Sequence, residues 1–136
     1  MTDAPETGRH IQQDFDLRAL HDTVGDDPAV LGEIIGCFDT VATGMRAGLL
    51  RAAADRDAGA AALLAHSLKS SSRAVGALPL GSLCERLEAR AAGGRRDGFA
   101  PLVADVVEAM DAALAAMRRW RGTMAAAAGR TARQGL

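Results

Sequence analysis

The sequence predicts an all-α protein, and three observations lead to that prediction. Aromatic residues make up 3% of the 136 residues, and tyrosine is absent. Alanine occurs 30 times, and alanine, leucine, arginine, methionine and glutamate are the strongest helix formers, whereas strands favour aromatic and β-branched residues. Apolar residues also recur three or four positions apart through several long segments, as on amphipathic helices. A chain of this length forms one domain.

The first two predicted helices have clear boundaries. A short first helix follows Asp14 and ends at Gly25. The second helix begins at Pro28, directly after Asp27, because aspartate can cap free amides and proline is tolerated at the first helical position. Its apolar stripe continues to about Ala54.

Three further helices are predicted after a short polar turn. The third runs from about Ala58 to Val75 and is ended by Gly76, which adopts the left-handed conformation easily. A brief turn leads to the fourth helix, over residues 80–92. The fifth begins near residue 101 and continues towards residue 124.

Four long amphipathic helices with short connections pack most simply as an up-down-up-down four-helix bundle, capped at one end by the short N-terminal helix. Residues 14–124 are predicted to form this bundle. Residues 1–13 are predicted to be a flexible N-terminus, and residues 125–136 a flexible tail rich in alanine and arginine.

Composition also excludes several functional classes. The net charge of −1 provides no basic field for nucleic acid or an anionic membrane. No signal peptide, membrane span or phosphate-binding glycine loop occurs, so neither secretion nor standard ATP binding is expected. Cysteine and histidine spacing fits neither a disulfide framework nor a metal site. We expect a cytoplasmic monomer without a cofactor or metal of its own.

The third helix carries the candidate chemistry. At 100° per residue, His66, Lys69, Ser70 and Arg73 lie on the face opposite its apolar stripe. Neutral imidazole is a nucleophile, and a phosphoryl group on its outer nitrogen would lie within reach of Lys69 and Arg73. Lys69 is the sole lysine among 16 cationic residues, and a compact ammonium suits a single phosphoryl oxygen. Ser70 is small enough to let a bulky partner approach the ring.

A carboxylate is expected opposite the imidazole. Reflection about the turn near residue 77 places position 66 across from position 88, which is Glu88. This carboxylate could accept the proton of the inner ring nitrogen of His66 and so fix the tautomer. Glu88 could instead be a surface acid paired with Arg73 or Arg90.

These residues resemble a known family. The segment LLAHSLKSSSRAVGALPLGSLCERLE, residues 63–88, is similar to the histidine-containing phosphotransfer (HPt) domains of two-component phosphorelays. The matching positions are Ala65, His66, Leu68, Lys69, Gly76, Ala77, Leu80, Cys84, Leu87 and Glu88. The resemblance implies that His66 is phosphorylated, that Lys69 steadies the phosphoryl group and that Glu88 orients the imidazole. Ser70 stands where the family often has glycine. We expect the partner-binding face near Ser70, Arg73 and Gly76.

The resemblance implies a phosphocarrier rather than an enzyme. Such a domain takes a phosphoryl group from one receiver-domain aspartate and passes it to another, with a sensor or hybrid histidine kinase upstream. The receiver would supply Mg²⁺ and the acceptor carboxylate, because phosphoryl transfer depends on positioning and charge neutralisation. One alternative is the histidine-bearing domain of a chemotaxis-type kinase, phosphorylated by a separate ATP-binding domain. Another is a helical adaptor that accepts no phosphate.

Overall fold

Five α-helices form the part of the chain that the computed structural model describes, residues 14–134, with side chains to residue 130. They are α1 (Leu17–Val24), α2 (Pro28–Ala54), α3 (Ala58–Ala74), α4 (Leu78–Ala91) and α5 (Ala100–Gln134). A single 3₁₀ turn, Ala92–Gly94, follows α4. Residues 14–134 contain no strand, and the predicted all-α class is confirmed.

The four long helices pack as an up-down-up-down bundle. Each packs against the next along the chain, and α5 returns to pack against α2. Alanines on the inner faces let the helices approach closely, which explains how a core with few aromatic residues is filled. The fully buried alanines of the core are Ala42, Ala61, Ala65, Ala77, Ala91 and Ala113.

The short helix α1 caps one end of the bundle, as predicted. Leu20 is fully buried there, and the backbone amide of Asp16 donates a hydrogen bond of 2.8 Å to the carbonyl oxygen of Gly76. Gly76 has φ +86°, and a Cβ at this position would collide with the carbonyl oxygen of Asp16. The α3–α4 turn therefore needs glycine both for its left-handed backbone and for contact with α1.

Aspartates begin the first three helices, and this explains why their starts could be predicted. Asp16 accepts a hydrogen bond from the amide of Ala19, and Asp57 accepts one from that of Ala60. Asp27 caps α2 in the same way, immediately before Pro28. Each cap satisfies an amide that has no helical acceptor.

Two predicted boundaries are wrong. Helix α4 begins at Leu78 and not at residue 80, because Pro79 lies in its first turn, where no amide proton is needed. Helix α5 continues to Gln134 instead of ending near Met124, because the four alanines after Met124 are strong helix formers. The flexibility of residues 125–136 stays a prediction. The flexible segment predicted for residues 1–13 lies outside the described residues.

Two bidentate ion pairs hold α5 against α2. Arg118 donates hydrogen bonds of 2.8 and 2.7 Å to Asp39, and Arg46 donates bonds of 2.8 and 3.0 Å to Asp111. These guanidinium groups lower the pKa of both carboxyl groups. The paired charges link the first and last helices of the bundle at its surface. Within residues 14–134, no helix is long and apolar enough to cross a membrane.

Candidate functional site

His66 lies near the middle of α3, on the side of the helix that faces away from the core. The buried residues of α3 near it are Ala65, Leu68 and Ser72. The His66 side chain is 64% exposed. The helix therefore anchors one face in the core and presents the imidazole to solvent on the other.

Glu88 of α4 contacts the ring at one nitrogen. Nδ1 of His66 and Oε2 of Glu88 are 2.7 Å apart. An ionised carboxylate can only accept a hydrogen bond, so Nδ1 carries the proton and donates it. In neutral imidazole the lone pair then lies on Nε2, which is the outer nitrogen. The structure thus brings together the two residues that reflection about the turn placed opposite each other.

Lys69 shares the same carboxylate. Its Nζ donates a hydrogen bond of 2.7 Å to Oε1 of Glu88, and its side chain is 21% exposed. Hydrogen bonds from Lys69, and next from His66, lower the pKa of Glu88. Glu88 therefore remains ionised at neutral pH and can hold the imidazole and the ammonium together.

Arg73 is directed away from the imidazole. It donates a hydrogen bond of 2.6 Å to Glu85 of α4, one turn before Glu88. Its side chain crosses Gly81, where a Cβ would lie 2.9 Å from Cγ of Arg73. Lys69 and Arg73 thus make successive ion pairs with Glu88 and Glu85, and Lys69 is the cation that shares a carboxylate with the ring.

The fold places Ser70 at the surface and Gly76 in the interior, although both were predicted to bind the partner. Ser70 is exposed, one turn beyond His66 on the same side of α3. Gly76 is buried beneath α1, and its carbonyl oxygen accepts a hydrogen bond from the amide of Asp16. The structure gives Gly76 a role in the α3–α4 turn, and its contact with a partner stays a prediction.

Apolar residues of α2 and α3 were expected to meet the partner beside His66, but the sequence did not identify which side chains are exposed there. Leu63, one turn before His66, is 74% exposed, and Val41 of α2 is 47% exposed. A shallow cavity of about 260 Å³ lies between α2 and α3 and is lined by Ile34, Cys37, Phe38, Val41, Ser71, Ala74 and Val75. An available signal was that Leu63 stands on the polar side of the α3 helical wheel, where a leucine has no core to enter.

The arrangement suits a nucleophilic imidazole. An oriented ring with a free outer nitrogen, a fixed tautomer and a neighbouring ammonium can attack an electrophile and neutralise the charge that it acquires. Among the described residues, no three or more histidine, cysteine, aspartate or glutamate side chains are grouped so that they could hold a metal ion.

Comparison with known families agrees with this chemistry. The sequence profile of the Hpt domain matches residues 33–120, which is more than half of the chain and includes His66, Lys69 and Glu88. The chain belongs to the Hpt domain family. It is therefore a histidine phosphotransfer intermediate of the kind that works in phosphorelays with histidine kinases and response regulators.

A solved structure shares the fold of this Hpt domain. The crystal structure of histidine-containing phosphotransfer protein B (HptB) from Pseudomonas aeruginosa PAO1 superimposes with a TM-score of 0.68 at 23% sequence identity. The match covers 81% of this chain and 96% of that one. No curated protein sequence matches the chain. The Hpt profile ends at residue 120, so the last part of α5 lies beyond the family match.

Proposed function

We propose that His66 is the phosphoacceptor of this Hpt domain. In this proposal the imidazole takes a phosphoryl group from a receiver-domain aspartate and passes it to the aspartate of another receiver. The observation that carries the proposal is the bond of 2.7 Å between Nδ1 and Glu88, which leaves the outer nitrogen free on an exposed face. The domain acts as a carrier, without kinase chemistry of its own.

The proposed step is a balanced transfer. The Nε2 lone pair of His66 attacks the phosphorus of the aspartyl phosphate, and the bond between phosphorus and the aspartate oxygen breaks. The receiver regains its carboxylate, and the imidazole becomes a phosphoimidazolium whose Nδ1 proton still bonds to Glu88. The reverse step releases neutral imidazole. Most of the catalytic work is in-line positioning and charge neutralisation, because the phosphoryl group is only loosely bonded to the attacking and leaving atoms in the transition state.

Lys69 is placed to neutralise the transferred charge. An ammonium group has three donors, and the bond to Oε1 of Glu88 uses one of them. Lys69 can therefore keep its ion pair with Glu88 and donate a second hydrogen bond to a phosphoryl oxygen on His66. The position of Lys69 one turn beyond His66 supports this role.

The receiver is proposed to dock on the exposed surface of α2 and α3 beside the imidazole. Leu63 and Val41 supply exposed apolar area, and Ser70 keeps the approach to His66 open. Mg²⁺ and the acceptor carboxylate would come from the receiver, and a sensor or hybrid histidine kinase would phosphorylate the first receiver. We expect the Hpt domain to act as a monomer in the cytoplasm.

The test is phosphotransfer to the purified chain. Wild type and His66→Gln are incubated with a phosphorylated receiver, and the label on the Hpt domain is tested for acid lability and base stability. We expect a label with phosphoramidate behaviour on wild type and none on the variant. Equal labelling of the variant would remove His66 from the mechanism.

The same experiment separates the alternatives. A chain that stays unlabelled with every phosphorylated receiver, but is labelled by a separate ATP-binding kinase domain, would be the histidine-bearing part of a chemotaxis-type kinase. A chain that binds receivers and is labelled by neither source would be an adaptor.

A further inference from the structure

A cavity lined by several arginines lies on the opposite side of α4 from the phosphotransfer site. This cavity of about 540 Å³ is lined by Arg86, Ala89, Arg90, Arg95, Gly98, Pro101 and Leu102. Three of these residues are arginines, and none is an acid. The volume lies in the range of small-molecule binding sites.

The position on α4 separates this cavity from His66. Arg86 precedes Glu88 by two residues and Arg90 follows it by two. Each arginine is therefore rotated about 200° around the helix axis from Glu88. Glu88 faces α3, so the two arginines face the side of α4 that packs against α5. A ligand in this cavity would therefore leave the imidazole uncovered.

The arginines have no charge partner of their own within the described part of the chain. Arg86, Arg90 and Arg95 make no ion pair there, whereas Arg46, Arg73 and Arg118 each bind a carboxylate. Nearby acids of the loop and of α5, Asp97 and Asp105, are not among the lining residues and form no ion pair with them. Three like charges in one cavity repel each other, and a bound anion would relieve that repulsion.

Backbone features add to the cationic character of the cavity. Gly98 has φ +82°, and a Cβ there would lie 2.5 Å from Nη1 of Arg90, so the guanidinium rests against the glycine backbone. The first helical hydrogen bond of α5 joins the amide of Val103 to the carbonyl of Phe99. The N-terminus of α5 therefore opens at this cavity and contributes partial positive charge.

We propose that this cavity, which we call the arginine cavity, binds a small anion that carries a diphosphate group. Guanidinium groups recognise phosphate oxygens through paired hydrogen bonds, and three of them together match a diphosphate better than a single phosphate. The diphosphate could be free or part of a nucleotide.

The test is to titrate the full chain with pyrophosphate and, separately, with ADP. Binding is measured by calorimetry and by changes in the backbone amide NMR shifts. Citrate serves as a polycarboxylate of similar charge. We expect saturable binding of pyrophosphate, with the largest shifts at Gly98 and Leu102. Equal affinities for pyrophosphate and ADP would identify the diphosphate as the recognised group. Tighter binding of ADP would show that the site recognises the nucleoside as well. Citrate binding as tightly as pyrophosphate would overturn recognition of phosphate.

Matched variants locate the site. Arg90→Gln is expected to raise the dissociation constant at least tenfold. Arg96→Gln makes the same charge change in the loop that follows α4, but Arg96 lines a different cavity together with Asp55 and Asp57, so its effect is expected to stay within twofold. His66→Gln is expected to bind pyrophosphate like wild type. Equal weakening by Arg90→Gln and Arg96→Gln, or no saturation of the wild type, would refute the arginine cavity as a binding site.

Discussion

Replacing Glu88 with alanine tests how the imidazole is oriented. Within the described part of the chain, Glu88 is the hydrogen-bond partner of the His66 ring, at 2.7 Å from Nδ1. Glu88 is also on the surface of α4, and its removal leaves the core of the bundle untouched. The substitution should therefore change the transfer reaction without unfolding the protein.

The size of the effect follows from the freedom that the ring regains. A helical histidine has two common χ1 wells, its χ2 is broadly two-fold, and neutral imidazole has two tautomers. The bond to Glu88 selects one combination from these roughly eight. Loss of Glu88 should thus lower the first-order rate constant of transfer by about eightfold to tenfold. The ammonium of Lys69 loses its ion pair with Glu88 in this variant but is retained one turn beyond His66, so the positive charge available to the phosphoryl group is unchanged.

The assay is single-turnover transfer from a saturating phosphorylated receiver. Glu88→Gln keeps an oxygen that can accept a hydrogen bond from Nδ1–H of His66, so the transfer rate of this variant should remain within about threefold of wild type. Glu85→Ala removes the same charge one turn earlier, where the partner is Arg73, and should change the rate less than twofold. An unchanged rate in Glu88→Ala would refute the orienting role. A rate for Glu88→Gln as low as that of Glu88→Ala would show that charge and not the hydrogen bond matters.

Three further predictions concern the fold, the docking surface and the thiols. Gly76→Ala should lower the free energy of unfolding by about 2–4 kcal/mol, because alanine strains the left-handed backbone and collides with the residue that begins α1. Gly93 also has a positive φ, +78°, but open space around it, so Gly93→Ala should lower that free energy by only about 1–2 kcal/mol. Equal losses in chemical denaturation would contradict the contact between Gly76 and Asp16. Leu63→Ala should raise the receiver concentration for half-maximal transfer roughly tenfold, and Leu50→Ala, on a residue that is 44% exposed, should not; equal effects would exclude a specific surface. Burial raises the pKa of Cys84 to about 12, so a thiol reagent at pH 8 should titrate one cysteine in the native chain and two after unfolding; two fast-reacting native thiols would contradict that burial.

Local signals predicted most of the fold. The aspartate caps of the first three helices and the glycine after α3 lie within a few residues of the boundaries that they set. The contact between His66 and Glu88 was also predictable, because a helical hairpin places residues at equal distances from its turn opposite each other. Both kinds of inference need only nearby sequence.

The features that were missed depend on distant contacts or on competing interpretations. The burial of Gly76 was not predicted, because it comes from a contact with Asp16, which is far away in the sequence. Arg73 has two acids within reach on α4, and helical spacing alone could not select Glu85. The end of α5 was misplaced because a run of alanines is both a strong helix former and a low-complexity tail.

The division of α3 into two faces explains how an Hpt domain can carry chemistry at little cost to its stability. Ala65 and Leu68 fill the core on one side of the helix, and each is followed directly in sequence by a residue of the site, His66 and Lys69. Glu88 of the neighbouring helix neutralises the ammonium of Lys69 and accepts a hydrogen bond from the imidazole, and neither charged side chain is fully buried. Because α3 and α4 form the most extensive helix pair of the bundle, the carboxylate and the imidazole are held on one rigid unit. A receiver therefore meets a ring that is already oriented, and the binding energy of docking can be used for alignment of the phosphoryl group.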